Sequence, residues 1–535
     1  MNNALFQLCC SYKCGKEHRE LMSTCTSSDG ILSASMSYTD DILHTVLTPS
    51  QELTLESVSI RIPFDFYKNS RIMLNGYQSW TDTREFSPDE KMRGLNSFIR
   101  KNNFFGSASY GDYNFAEYPY LHGFSYGYVR TGDEFTFIGS LNERTGYTVI
   151  YALPDDGLLI IEKDCKGLAV DSAYNVFDIF FSTGSEDEVF DKYFSLLSLP
   201  AMRTGPKTGY TTWYNHYANI NEDVILSNLE AIKRSGRHFD VFQIDDGFQT
   251  ATGDWLSIDK KKFPNGLAPL AEKIKDAGMI PGLWLAPFAA QKNSVLRSEH
   301  PDWCRQYAGS NWGGFYALDA GDPQVREYIK HVFDVVINEW GFGLLKLDFL
   351  YAACLEPVAG KTRGQMMCEA MDLIRECAGD AYILGCGVPL WPAFGKADFC
   401  RIGCDVSLNW SNKSFRRIAN REIPSTKITI ENTVFRRQLS GKVFWNDPDV
   451  FMIRSEKNIM TKKQRDSLCT ANALFGDVLF TSDDLSSYDD NMYKKLDRIF
   501  ELKDAEVLDI KYKKDSAEIL IRTKDGKKRK EKIML

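Results

Sequence analysis

From Gly209 onward the chain alternates short apolar runs of β type with helical stretches, and it completes eight such units by Asp484. The runs are Gly209–Asn215 (GYTTWYN), Phe239–Asp246 (FDVFQIDD), Met279–Pro287 (MIPGLWLAP), Leu344–Phe349 (LLKLDF), Tyr382–Gly387 (YILGCG), Cys400–Asp405 (CRIGCD), Lys442–Asp449 (KVFWNDPD) and Gly476–Asp484 (GDVLFTSDD). Segments such as Asn221–Gly236, Gln324–Trp340 and Gly364–Gly379 read as the helices between them. Strands alternating with helices indicate a parallel sheet, and eight units over this length match a (β/α)8 barrel of about 250 residues. One unit is irregular. Only 18 residues separate Tyr382 from Cys400, so the helix between the fifth and sixth strands is expected to be reduced or absent.

The flanks read differently. Up to about residue 195, runs rich in Val, Ile and Phe (Ser57–Phe66, Phe135–Asn142, Asn175–Ser182) are separated by turn signals such as Asp155-Asp156-Gly157, the pattern of an antiparallel sandwich. Beyond Leu485 the chain is again β-like, with a Lys524-Asp525-Gly526 turn near the end. The basic stretch from Lys527 fits an exposed terminal strand better than a nucleic-acid patch. The expected architecture is multidomain: an N-terminal antiparallel β-sandwich over 1–195, a central (β/α)8 TIM barrel over 196–485, and a small C-terminal antiparallel β domain over 486–535.

Composition narrows the function. Lys plus Arg number 64 against 72 Asp plus Glu, a net charge of −8, which argues against nonspecific binding to nucleic acid or an anionic membrane. No window approaches the ~18 apolar residues of a transmembrane helix. The start, MNNALFQLCC, has no apolar segment behind a basic one, so no secretory signal is expected and the location reads as cytoplasmic. The 13 cysteines are odd in number and scattered, as fits reduced thiols rather than a disulfide framework. Cys9, Cys10 and Cys14 cluster without a second ligand pair, and the seven His show no HxH or HExxH spacing. No metal and no cofactor are therefore expected. Aromatic residues reach 13%, which serves large cores and also suits stacking on sugar faces. Oligomeric state is not legible.

In a (β/α)8 barrel the chemistry sits at the C-terminal ends of the strands. Here those ends carry Asp245 and Asp246, Asp348, Asp405, then Asp447 and Asp449. A single Asp after a strand is ordinarily a helix cap or turn former, but acids after at least four convergent strands exceed what capping requires. Several carboxylates in an aromatic-rich pocket without metal-ligand His point to acid/base or nucleophilic work on a neutral polar substrate, as in glycoside hydrolysis. Lys346 and Asp348 are two residues apart on one strand and share a face. The ammonium is expected to favour the ionised form of Asp348, a competent nucleophile; the structural alternative is an ion pair inside the barrel. Asp405 ends the sixth run, about opposite the fourth, in a mostly uncharged segment. Partial desolvation there is expected to raise its pKa, as a general acid needs.

At these positions the chain closely resembles the short bacterial α-galactosidases of glycoside hydrolase family 36. The motifs that carry the resemblance are Phe242-Gln-Ile-Asp-Asp246, Gly253-Asp-Trp255, Pro281-Gly-Leu-Trp-Leu-Ala-Pro287, Lys346-Leu-Asp-Phe-Leu350, Leu384-Gly-Cys-Gly387, Arg401-Ile-Gly-Cys-Asp405 and Trp445-Asn-Asp-Pro-Asp449. The resemblance implies a retaining exo-α-galactosidase acting on α-galactoside oligosaccharides or glycoconjugates, with Asp348 as nucleophile and Asp405 as acid/base. It implies that Asp245 and Asp246 hold O4 and O6 of a terminal galactose and that Lys346 bonds a ring hydroxyl. Trp284 is expected to line or stack on the apolar sugar face, and Cys386 with Gly387 to flank O2. The segment Asn75-Gly-Tyr-Gln-Ser-Trp80 looks like the family loop whose Trp reaches the pocket, so Trp80 is a subsite wall; Trp213, in the first strand, is either packing or lining. Two positions depart from the family. Ser310 stands where relatives carry Arg before Asn311-Trp312, and Val388 where they carry Ser; both exchanges bear on recognition at O2 or of the aglycone. An α-N-acetylgalactosaminidase or an α-galactosyl transglycosylase with the same two Asp are the alternative enzymes, and a noncatalytic sugar-binding protein is the alternative of another class.

Overall fold

The computed structural model describes residues 5–24, 26–102, 110–309, 314–358, 360–411, 420–422 and 424–535. Its central sheet holds eight parallel strands: β1 Lys207–Thr211, β2 Val241–Ile244, β3 Ile280–Leu285, β4 Leu344–Leu347, β5 Tyr382–Gly385, β6 Phe399–Arg401, β7 Trp445–Asp447 and β8 Val478–Thr481. They pair in chain order from β1 to β7, with β8 beside β1. A backbone bond from Asp477 N to Asn446 O (2.8 Å) and a bridge between Phe451 and Thr481 draw β7 and β8 together and nearly close the ring. The strands are almost wholly buried, because side chains fill the interior while helices cover the outside.

Each strand is shorter than its apolar run, since the last residues of each run leave the ladder and enter the loop above it. Asp348 therefore follows β4, and Asp405 lies beyond β6. Trp213 is not in the first strand; it opens a single helical turn, Trp213–His216, after β1. β4 and β6 do not face each other across the ring, because only β5 separates them.

The longer helices that accompany and follow the barrel strands are α1 Glu222–Ser235, α2 Ala268–Asp276, α3 Pro323–Asp334, α4 Arg363–Ala378, α5 Thr426–Phe435, α6 Lys462–Phe475 and α7 Asp490–Lys503. α1 shows why these segments start and stop where they do. The Asn221 side chain accepts from Val224 N at its start, and Gly236 ends it in the left-handed conformation, the combination that satisfies the terminal backbone groups. Between β5 and β6 the described chain makes only a 3-10 turn, Trp391–Ala393, as the short spacing requires.

Before the barrel lie two antiparallel sheets. One contains Gln7–Cys14, Leu53–Pro63, Leu158–Lys163 and Thr148–Leu153; the other contains Leu32–Thr39, Ile42–Pro49, Tyr174–Gly184 and Glu134–Ser140. Burial alternates along Leu32–Thr39 and Leu53–Pro63, so one face of each sheet is given to a shared core of Leu8, Leu43, Leu47, Val58, Ile60, Ile161, Phe177 and Ile179. Each such buried side chain contributes roughly 1.5–3 kcal/mol. After the barrel, Glu506–Lys513, Ser516–Arg522 and Lys528–Met534 form a three-stranded antiparallel sheet. Ala517, Ile519, Ile521 and Ile533 merge its inner face with the barrel's hydrophobic cluster. The basic stretch is the mostly exposed last strand.

The amino-terminal sheets reach the mouth of the barrel through residues 75–83. Arg436, fully buried just past α5, donates to Asn75 Oδ1 and to the carbonyls of Gly76, Gln78, Ser79 and Ile402. Asn432 on α5 adds bonds to Ser79 O and Thr81 O and accepts from Thr83 N. One guanidinium thus ties this loop to the chain leaving β6.

Candidate active site

A cavity of about 370 Å3 opens at the C-terminal ends of the strands. It is lined by Trp80, Trp213, Asp245, Asp246, Trp284, Lys346, Asp348, Cys386 and Asp405, and also by Ser79, Phe349, Arg401, Gly403, Cys404 and Pro424. The expected catalytic and sugar-binding residues all meet here except Gly387, which stands behind the wall with φ +54; a Cβ on it would lie 3.0 Å from Phe349 N and 3.1 Å from Asp348 Oδ1. Val388 is fully buried and packs behind Gly385, off the wall, so the exchange at that position is a packing change. Ser310 lies outside the described residues.

Asp348 is placed where β4 ends. Its amide donates to Leu285 O on β3 (2.8 Å), Oδ1 accepts from Phe349 N (2.8 Å), and Oδ2 accepts from Trp284 Nε1 (3.2 Å). Burial pushes the carboxyl above its usual range; Lys346 pulls it back, Asp405 adds to the rise, and the two donors offset part of it. The expected effect of Lys346 is therefore present but does not win, and the reason is where the ammonium points. Lys346 Nζ bonds Asp245 Oδ2 at 2.8 Å, and Asp245 Oδ2 also accepts from Gln243 Nε2 at 2.7 Å. Trp284 is only 2% exposed, so its visible role is to orient Asp348 through the indole N–H, with little ring face left for stacking.

Asp246 accepts from Gln249 Nε2 at 2.6 Å. Burial, then the neighbouring charges of Asp245 and Asp348, push it up to about 6 despite that bond. Burial also pushes the Cys404 thiol up to about 12 and the Cys386 thiol well above its usual value, so both are neutral groups rather than thiolate nucleophiles. Trp80 donates from Nε1 to Glu422 Oε2 at 2.6 Å. Glu422, pushed up to about 8 by burial and then by Asp112, also accepts from Thr81 Oγ1. The amino-terminal loop and the segment before α5 are thus latched to each other at the pocket wall.

Asp405 departs from expectation. Its side chain is 58% exposed and sits 2.8 Å from Arg401 Nη1, so desolvation in an uncharged segment does not describe it. Sequence reasoning missed Arg401, although it lies in the same run. The guanidinium, 4% exposed, also reaches Asp447 (3.4 Å) and Asp449 (3.0 Å). A lone Arg at the end of an otherwise apolar strand was the available signal, because such a charge must find carboxylates inside the barrel.

Comparison with known proteins agrees with this geometry. The Melibiase family model matches residues 209–364. The α-galactosidase of Escherichia coli is 30% identical over 179 residues, 31% of this chain and 25% of that protein. Among solved structures, TtGalA, the α-galactosidase of Thermus thermophilus in complex with p-nitrophenyl α-D-galactopyranoside, superposes with a TM-score of 0.74 at 28% identity, covering 92% of this chain and 97% of that one. The chain is therefore similar to α-galactosidases in the first half of its barrel and in its whole fold. The GH36 α-galactosidase AgaA of Geobacillus stearothermophilus shares the fold at 14% identity, with a TM-score of 0.62 over 92% of this chain and 72% of that one. The aligned stretch spans about a quarter of the E. coli relative's length. The stretch matched by the Melibiase model runs from β1 through β4 and so includes Trp213, Asp245, Asp246, Trp284, Lys346 and Asp348.

Proposed function

We propose that this chain is an exo-acting α-galactosidase that removes terminal non-reducing α-D-galactosyl residues with retention of configuration. The observation that carries the reading is the meeting of Asp348 and Asp405 in one pocket, the first partly buried and held by two donors, the second exposed toward solvent. In a retaining mechanism Asp348 attacks the anomeric carbon as Asp405 protonates the departing glycosidic oxygen. A covalent β-galactosyl enzyme results, and Asp405 then takes a proton from the water that attacks it. Asp246, Asp245 and Lys346 supply acceptors and a donor for ring hydroxyls, while Trp80 and Trp213 bound the opening. The solved structure of TtGalA with stachyose supports a raffinose-type oligosaccharide as substrate.

In this reading the barrel (196–485) performs the chemistry and the sandwich (1–195) lends Ser79 and Trp80 to the pocket. The described cysteines are free, which supports a reducing, cytoplasmic setting. The test is a panel of aryl α-glycosides followed by trapping with a mechanism-based α-galactosyl inhibitor. Cleavage of the galactoside, loss of turnover in Asp348→Ala and a covalent adduct on Asp348 are expected. An adduct on any other residue overturns the nucleophile assignment, and no turnover on any glycoside overturns the enzyme.

A further inference from the structure

One buried carboxylate beside the pocket has no part in the chemistry just described. Asp449 is 3% exposed and stands behind the lining residues, yet both of its oxygens act on the segment that carries Asp405. Oδ1 pairs with Arg401 Nη2 at 3.0 Å, and Arg401 Nη1 donates to Asp405 Oδ1 at 2.8 Å. Oδ2 accepts from the amide of Val406, the residue directly after Asp405, at 2.7 Å, and also from the Tyr214 hydroxyl. Asp449 therefore grips Asp405 twice, once at its side chain through the guanidinium and once at its backbone.

The backbone of Asp449 is itself in the left-handed region, with φ +71. A residue bearing a Cβ persists there when its surroundings over-determine it, and they do: its amide donates to Asp447 Oδ1 (2.8 Å) and its carbonyl accepts from Asn472 Nδ2 (2.9 Å). Asp447 is the weaker candidate for the same task, since it reaches Arg401 Nε only at 3.4 Å and already holds the Asp449 amide. Asp405, more than half exposed, gains little from packing, so these bonds decide where its carboxyl stands.

We propose that Asp449 is a positioning residue for the acid/base step, fixing Asp405 relative to the glycosidic oxygen through Arg401 and the Val406 amide. The inference rests on the assignment of Asp405 as acid/base. Its test compares a sugar leaving group (raffinose) with an activated aryl α-galactoside in the wild type, Asp449→Asn, Tyr214→Phe and Asp405→Ala. Asparagine keeps the shape and an acceptor for Val406 N but removes the charge that aims Arg401. Asp449→Asn is expected to lower kcat/KM on raffinose by ~10–100-fold, part of the general-acid contribution, and on the aryl substrate by less than about 3-fold. Azide, which needs no general base to attack the glycosyl enzyme, is expected to raise its aryl kcat. Tyr214→Phe should show the same split at smaller size, and it carries the test if Asp449→Asn does not fold. Equal losses on both substrates, or none, overturn the inference. If Asp405→Ala shows the split and the other two variants do not, the inference falls alone. If Asp405→Ala shows no split, the acid/base assignment falls and takes the inference with it.

Discussion

Lys346→Met is expected to expose how the floor of the pocket is held together. Lys346 Nζ lies 2.8 Å from Asp245 Oδ2, with the two side chains 9% and 3% exposed. Burial alone would pull the ammonium down, but the Asp245 carboxylate more than offsets it, and the net shift is upward. An ammonium whose folded pKa is raised contributes stability that is complete below its unfolded pKa and lost only as pH climbs through the folded one. The contribution is therefore flat from about pH 6 to 9. Methionine matches most of the lysine stem, so little cavity is created, and the main defect is an Asp245 left with the neutral donors Gln243 Nε2, Asp246 N and Thr211 Oγ1 but without the lysine's charge. Removing one partner of a buried pair costs about 3–5 kcal/mol. A chain of this size does not unfold in one step, so the readout is the melting temperature of the barrel transition. At about 2–3 °C per kcal/mol for a large domain, the variant should melt about 6–15 °C lower. The double variant Lys346→Met/Asp245→Asn removes the orphaned charge and should recover more than half of that loss. Activity does not enter, since both residues line the pocket. A double variant that melts no higher than the single one, or a single variant within about 2 °C of wild type, refutes the ion-pair reasoning.

Three further outcomes are expected. Gly387→Ala forces a Cβ to 3.1 Å from Asp348 Oδ1 at a left-handed backbone; displacing Asp348, the proposed nucleophile, should cut kcat by roughly 100-fold with under about 2 kcal/mol of destabilisation, and steady-state kinetics beside thermal melts would show whether the two losses separate. Arg436→Met strands the carbonyls that hold residues 76–79 at roughly 1–3 kcal/mol for each one left buried and unpaired; hydrogen exchange should rise across that loop, and unchanged protection there would contradict its role as the tie. Asp246, at about 6, would accept sugar hydroxyls best when ionised in the proposed role, so galactose affinity should fall as pH drops through 6, approaching tenfold per unit below it. Calorimetry from pH 5 to 8 with Asp246→Asn as control checks this, and a pH-independent affinity in the wild type would end the assignment.

The barrel strands are legible because a sheet buried on both faces demands continuous apolar runs, and Val241–Ile244 or Leu344–Leu347 could hardly be anything else. The acids are legible for a related reason: a charged residue directly after such a run must lie where the strand opens into the loops. What spacing does not reveal is which side chains then meet. Spacing pairs Lys346 with Asp348, its neighbour on the same strand face, and makes Arg401 one residue of a mostly uncharged run. In a (β/α)8 barrel, interior side chains stack in layers, each drawn from alternate strands. Asp245 follows β2, Lys346 lies on β4 and Arg401 ends β6, all even-numbered strands. Lys346 and Asp245 therefore meet across the barrel rather than along a strand. Lys346 goes to Asp245, while Arg401 bonds Asp405 within its own turn and, across the strand-order neighbour β7, Asp447 and Asp449. The pairing leaves Asp348 with two neutral donors and the indirect pull of a lysine already committed elsewhere, so burial sets the direction of its shift. In the proposed retaining mechanism, a carboxylate raised in this way is readied by a positive charge developing at the bound sugar, as in the oxocarbenium-like transition state, more than by any group fixed in the resting protein.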